Sequence, residues 1–266
     1  MKDITVIVPI NDIAQTNFSV LFDTAIKSLN TQTTKPEKVI VVHCECPGVE
    51  QWLGNYDFEE LDVTILKNPG DTDFCSQINF ASEKVETEWF SVLEFDDEYS
   101  NIWFKNVKEY MESYDEIGIF LPLVLDVDVD GNFINFTNEA CWAMNFTEKL
   151  GELDNGALLN YQNFQTSGAV FNTEHFTSIG GFKSGIKLTF VYEFLLRATY
   201  NDVKVMTVPK VGYKHTNMRA GSLFWEYKNN DKVQIGSDEA KFWIDTAKKE
   251  YFFKDDRNIM YEESVN

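Results

Sequence analysis

A chain of 266 residues can bury a core of its own, and 44% apolar content is ordinary for a globular protein. With 43 acidic against 23 basic side chains and a formal net charge of −20, it repels polyanions, which argues against nucleic acid as a partner. No apolar run reaches the roughly 20 residues of a membrane span, and the run in "MKDITVIVPIND" is too short and too soon broken by charge for a secretory signal. No membrane span and a cytoplasmic location are therefore expected, with Cys44, Cys46, Cys75 and Cys141 as free thiols.

The first half predicts alternating strands and helices. "ITVIVPI" (4–10) is a β-branched run ended by Pro9 and the turn-forming Asn11-Asp12. Phe18, Leu21, Phe22, Ala25 and Leu29 follow at helical spacing, with Thr16 or Asn17 as the cap. "KVIVVH" (38–43) is apolar on both faces, as in a buried parallel strand, and "DVTILK" (62–67) is a further strand. Ile78, Ala81 and Val85 share one helix face, and Asp73 can cap that helix. "WFSVLEF" (89–95) is the next strand. Ser100 is placed to cap a helix whose Trp103, Val107, Tyr110, Met111 and Tyr114 face inward, and "IGIFLPLVL" (117–125) closes the unit. This alternation predicts an α/β fold with a mostly parallel central sheet flanked by helices, Rossmann-like in its N-terminal half.

Beyond residue 125 the pattern changes. "DVDVDGNFINF" predicts a hairpin turning at Asp130-Gly131. Residues 167–182 read as strand, short helix and glycine turn; 192–200 are helical, 203–215 are strand-like around Pro209, and Ser237 begins a helix. With no low-complexity linker and no internal repeat, a single domain is expected. Its parts are an N-terminal half (1–125), a second half of different pattern (126–225) and a C-terminal helical extension (226–266). The Trp225–Tyr227 region and the last helix are the candidate interface surfaces.

Chemistry concentrates where "FSVLEFDDEYS" (90–100) runs from an apolar strand into Glu94, Asp96, Asp97 and Glu98. Ligands of such sheets bind beyond the carboxyl ends of the strands. Alternation along the strand would turn Glu94 and Asp96 the same way and Phe95 inward. Oxygens so grouped suit a hard cation that keeps open positions for diphosphate oxygens. The competing reading is a solvated strand end in an acidic protein.

The order "ITVIVPIND", "AIKSLNTQTTKPEKVIVVH", "QINFASEKVETEWFSVLEFDDEY", "IGGF", "FLLRATYNDVKVMTVP" and "YKH" resembles the family-2 type of glycosyltransferases with the GT-A fold. The resemblance spans about residues 3 to 222. It rests on Ser28 to Gln32, Asn79, the Asp-x-Asp-Asp-like Glu94 to Asp97, Gly180-Gly181-Phe182, Leu196-Arg197, Val208-Pro209 and His215. It implies a nucleotide-diphospho-sugar donor, a glycan or other hydroxyl-bearing acceptor, and Mn²⁺ or Mg²⁺ at the diphosphate. Asp96 and His215 would hold the metal, with Glu94 on the ribose or the metal's water shell. Pro9, Asn11, Asp12, His43, Asn79 and Phe95 would join Glu94 around the nucleotide-sugar. Gln165, in the amide- and ring-rich "LNYQNFQTSG" (159–168), and Gly181 would meet the acceptor.

Two departures stand out. "HCEC" (43–46) replaces the family's base-reading "Asp-Asp-Gly-Ser", and it lacks the second ligand pair of a zinc site. The family's "Glu-Asp" general-base pair is Phe190-Val191 here, which leaves Glu193 as the candidate base and Asp97, Glu98 and Glu174 as alternatives. A metal-dependent glycosyltransferase of hexosyl or pentosyl type is therefore expected. The alternative is a catalytically silent carbohydrate-binding or structural module. A nucleotidyltransferase ranks below both, because no Gly-rich phosphate loop follows the first strand, and DNA-base glycosylation is disfavoured by charge.

Overall fold

A computed structural model describes residues 3–11, 13–14, 17–139, 151–186, 188–217, 219–220, 222, 225 and 237–251. The strands are β1 (Ile4–Ile10), β2 (Lys38–His43), β3 (Val63–Lys67), β4 (Trp89–Val92), β5 (Glu98–Tyr99), β6 (Ile117–Val127), β7 (Phe133–Thr137), β8 (Glu152–Leu153), β9 (Val170–Asn172) and β10 (Lys204–Thr216). The helices are α1 (Phe18–Asn30), α2 (Val49–Asn55), α3 (Phe74–Ser82), α4 (Trp103–Ser113), α5 (Asn155–Asn160), α6 (Thr173–Ser178), α7 (Phe190–Tyr200) and α8 (Ser237–Tyr251).

All belong to one sheet of order β3-β2-β1-β4-β9-β6-β10-β5, with β7 on β6 and β8 on β10. The run β3-β2-β1-β4 is parallel; β1, β2 and β4 are buried on both faces, as is usual for parallel strands, and β3 is the half-exposed edge. The chain steps outward from β1 to β2 and β3, then returns to pair β4 on the other side of β1. That reversal puts the crevice at the carboxyl ends of β1 and β4. The short antiparallel β9 bridges β4 to β6, and β6 runs parallel to β10 through Asp126 opposite His215.

Asp73 caps α3 as expected, its carboxylate accepting from Ser76 N at 3.0 Å, a contact of about 1 kcal/mol. Gly131 (φ +81°) turns the predicted hairpin. Four local readings need correction. Helix α2 gave no periodic signal, because only Val49 and Leu53 of its seven residues are buried. Asn17 sits before α1 in left-handed conformation (φ 63°) without a side-chain cap bond; Thr16 lies outside the described residues. Ser100 does not cap α4, which starts after Ile102, and Tyr114 is 40% exposed. Strand β4 ends at Val92, so Glu94, Asp96 and Asp97 stand on a turn and not along a strand, while Glu98 begins β5. Among the described residues no helix is long and apolar enough to cross a membrane.

Candidate active site

The early end of β4 decides the arrangement of the acids. Asp97 N donates to Glu94 O at 3.1 Å, a four-residue turn that folds Asp97 back over Glu94. Phe95 goes into the core against Phe18, ring centroids 5.1 Å apart, while Asp96 stays near enough to Glu94, Asp97 and His215 for their charges to interact. Asp97 is the acid that joins Glu94 and His215 in one close group, and Asp96, expected as a metal ligand, lies beside that group and not within it. The ligand atoms of Glu94, Asp97 and His215 all lie within 4.8 Å of one another.

Strand β10 supplies the other wall. Asp97, fully buried, takes His215 Nδ1 at 2.9 Å on one oxygen and Thr216 N at 2.8 Å on the other. This bond occupies Nδ1, so Nε2 is the ring nitrogen that Asp97 does not use. Two residues earlier, the Tyr213 hydroxyl accepts Glu94 N at 3.0 Å. Ser167 Oγ donates to Glu94 Oε1 at 3.3 Å. Its neighbour Gly168 (φ +69°) lies flat on the Tyr213 ring, where a Cβ would collide. Behind His215, Asp126 is buried and accepts from Thr137 Oγ1 at 2.6 Å and Gln165 Nε2 at 3.4 Å. Asp96 pairs with Arg219, Nε to Oδ2 at 2.6 Å.

Four carboxylates, Glu94, Asp96, Asp97 and Asp126, thus face two cationic side chains, and the protonation preferences show the deficit. Burial, then Asp97 and Asp96, push the Glu94 carboxyl up to about 8 against the pull of His215 and Ser167. Burial opposes charge on His215, yet Asp97, Glu94 and Asp126 raise it to about 10. Asp96 is also raised, by burial and Asp97, against Arg219. Such a site protonates itself when no metal is bound, and its oxygen-rich donor set with one imidazole fits a hard divalent cation.

The other predicted residues fall in different places. Glu193 does not stand free as a base. Buried on α7, it receives Arg197 Nε at 2.8 Å, Arg197 Nη2 at 3.0 Å and Lys183 Nζ at 3.1 Å. Burial would raise its carboxyl, but those two cations hold it below the usual range, which makes it a poor proton acceptor. Asn79 and Gly181 form an interior clamp: the Asn79 carboxamide takes both Phe182 N (2.8 Å) and Phe182 O (2.7 Å). Gly181 (φ +59°) leaves the room this needs. Both are committed to holding the glycine turn to α3. His43 is 1% exposed, with Nδ1 on Cys44 O at 2.8 Å, so its ring belongs to the core and not to a cleft wall. Pro9 is buried in β1 opposite Val42, while Asn11 is exposed, its carbonyl accepting Cys44 Sγ at 2.9 Å. Gln165 is half-buried, and Asn138 Oδ1 accepts its backbone N at 2.9 Å. Asp12, Tyr227 and Cys141 lie outside the described residues; Cys44, Cys46 and Cys75 form no disulfide among the described residues.

Ser167, Asp126, Tyr213 and Arg219 were not singled out from the sequence. Arg219 carried the strongest signal, being one of three arginines in a very acidic chain, four residues past His215.

No protein-family model matches this chain, and no curated protein matches it by sequence. Its structure is similar to residues 1–349 of TarS from S. aureus, solved with UDP-GlcNAc: TM-score 0.63, 17% identity, 84% of this chain and 60% of that one. It is also similar to a mannosyltransferase, PcManGT from Pyrobaculum calidifontis, solved with GDP-Man and Mn²⁺: TM-score 0.57, 17% identity, 85% of this chain and 60% of that one. The full TarS structure gives a TM-score of 0.59 at 18% identity, over 95% of this chain and 44% of that one. The chain therefore has a GT-A-like fold and spans less than two thirds of the length of these structures.

Proposed function

We propose that the chain is a glycosyltransferase that moves a sugar from a nucleotide-diphospho-sugar to a hydroxyl acceptor, with a divalent cation at the turn after β4. The observation that carries this reading is the meeting of Glu94, Asp97 and His215 at the carboxyl end of β4 in a fold shared with structures that hold UDP-GlcNAc or GDP-Man and Mn²⁺. In this reading Glu94 and His215 Nε2 grip Mn²⁺ or Mg²⁺ directly, Asp97 orients the imidazole, and Asp96 joins the ligand set. The bound cation would offset the negative charge that develops on the departing nucleoside diphosphate. Ser167 and Tyr213 hold the Glu94 side chain and backbone in place. Residues 1–125 would then bind the donor, and 126–225, with Gln165, the acceptor.

A specific observation favours a second reading, a silent sugar-binding module. The base positions are Phe190 and Val191, and the oxygens of Glu193 are taken by Arg197 and Lys183. One experiment separates the two. The protein is incubated with UDP-GlcNAc, UDP-glucose or GDP-mannose plus Mn²⁺, and both donor binding and released nucleoside diphosphate are measured. Release supports the enzyme; Mn²⁺-dependent binding without release supports the module; no binding with or without Mn²⁺ overturns both. Asp96→Asn is expected to abolish metal-dependent donor binding while circular dichroism stays unchanged.

A further inference from the structure

Asp96 has two calls on one carboxylate. The proposed donor site wants it for a cation, yet Arg219 already holds it through Nε at 2.6 Å. The pair is largely withdrawn from water, the side chains being 12% and 10% exposed, and the guanidinium lies 5.2 Å from the centre of the Phe95 ring. Arg219 Nη1 also donates to Ala220 O at 3.2 Å. A guanidinium seated by a carboxylate, an aromatic face and a carbonyl is not a passing surface contact. A divalent ion placed on Asp96 would meet that fixed positive charge at close range, where little water screens the repulsion.

We infer that Arg219 is the resident countercation of the donor site, which competes with a divalent cation for Asp96 and leaves that carboxylate when the cation loads. This rests on the metal-dependent reading above. It assigns Arg219 a part in cation selectivity: a monovalent ion at low concentration does not displace a charge-assisted pair, whereas a divalent ion that also gains Glu94 and His215 does. The site thereby keeps Asp96 partnered when empty, and cation affinity is set by the difference between two partners of one carboxylate.

The test reads binding, not turnover. Free Mn²⁺ is followed by electron paramagnetic resonance in titrations of the full chain, wild type against Arg219→Gln. The variant is expected to bind Mn²⁺ about tenfold tighter, since it no longer has to break the pair; adding Asp96→Asn is expected to abolish the gain. Equal or weaker binding by Arg219→Gln overturns the competition and leaves the metal reading intact. No Mn²⁺ binding by either protein overturns both. The wild type supplies a second measurement should the variant not fold. With three arginines in the chain, the side-chain Nε–H signals are resolvable, and Arg219→Lys identifies the one at issue. Mg²⁺ is expected to move that signal away from its ion-paired position at the concentration that saturates the site. An Arg219 signal that stays fixed through saturation overturns the inference.

Discussion

Glu94 illustrates how one side chain can report on a whole site. Its carboxyl, pushed up to about 8, lies above its ordinary 4.5. The neutral form therefore stabilises the fold, with full effect below about 4.5 and loss as pH rises through about 8. His215, raised from 6.5 to about 10, acts with the same sign: its charged form stabilises fully below 6.5 and less as pH approaches 10. A divalent cation needs Glu94 ionised and His215 neutral, so it reverses the slope. Scanning calorimetry is expected to show the metal-free protein melting lower at about pH 9 than at about pH 6, with Mn²⁺ raising the midpoint more at the higher pH. Calorimetric titration in two buffers of different ionisation enthalpy should show protons released on binding. The acidic cluster was legible in the sequence because four carboxylates follow an apolar run. Which acid faces the histidine was not legible, because a turn bond between Asp97 and Glu94 decides it and no periodicity encodes that bond.

At the scale of elements, α7 and the loop before β9 carry loads that their sequences do not announce. Glu193 reads as a base from its chemistry alone; the structure makes it the centre of a buried network with Arg197 and Lys183, which in turn secures the glycine turn through Arg197 Nη2 on Gly181 O at 2.6 Å. Glu193→Gln leaves the buried Arg197 guanidinium without its carboxylate, whereas Lys183 is 42% exposed and keeps the Tyr251 hydroxyl; urea unfolding should register a loss of about 3 kcal/mol with donor affinity unchanged. A variant of wild-type stability that loses turnover alone would restore the base assignment. Gly168→Ala tests the loop. It would need a left-handed alanine pressed against Tyr213, the side chain that receives Glu94 N. A loss of about 2 kcal/mol or more is expected, together with weaker Mn²⁺ binding. Asn79 and Gly181 were visible as motif residues, but a motif gives identity without partners, and their partners proved to be each other's backbone surroundings.

For the molecule as a whole, the strands were the most legible part: β1 and β2 have the predicted bounds, and β3, β6 and β10 differ by a few residues. Short β-branched apolar runs bounded by turn residues favour strands, and β1 and β2 are buried along nearly their whole length. What failed were the short features whose burial is partial, such as α2. The net charge of −20 is also a whole-molecule property, since repulsion among surface carboxylates opposes compaction. Raising NaCl from about 0.02 to about 0.5 M is expected to increase the melting midpoint through screening, and a flat or falling midpoint would show that local ion pairs outweigh the global field.

β10 is not evenly matched to β6. Between Val208 and Val211 it gains two residues on a single step of its neighbour, and between Val211 and Tyr213 one more. Side chains alternate between the two faces of a strand, so this slack fixes the side on which Tyr213 and His215 emerge. Excising Lys210 alone would turn both rings to the opposite face of the sheet, leaving Asp97 without its imidazole and Glu94 N without its hydroxyl. Excising two residues would restore the parity. The irregular stretch around Pro209 is in effect a spacer whose odd or even length determines whether His215 meets Asp97 and Tyr213 meets Glu94.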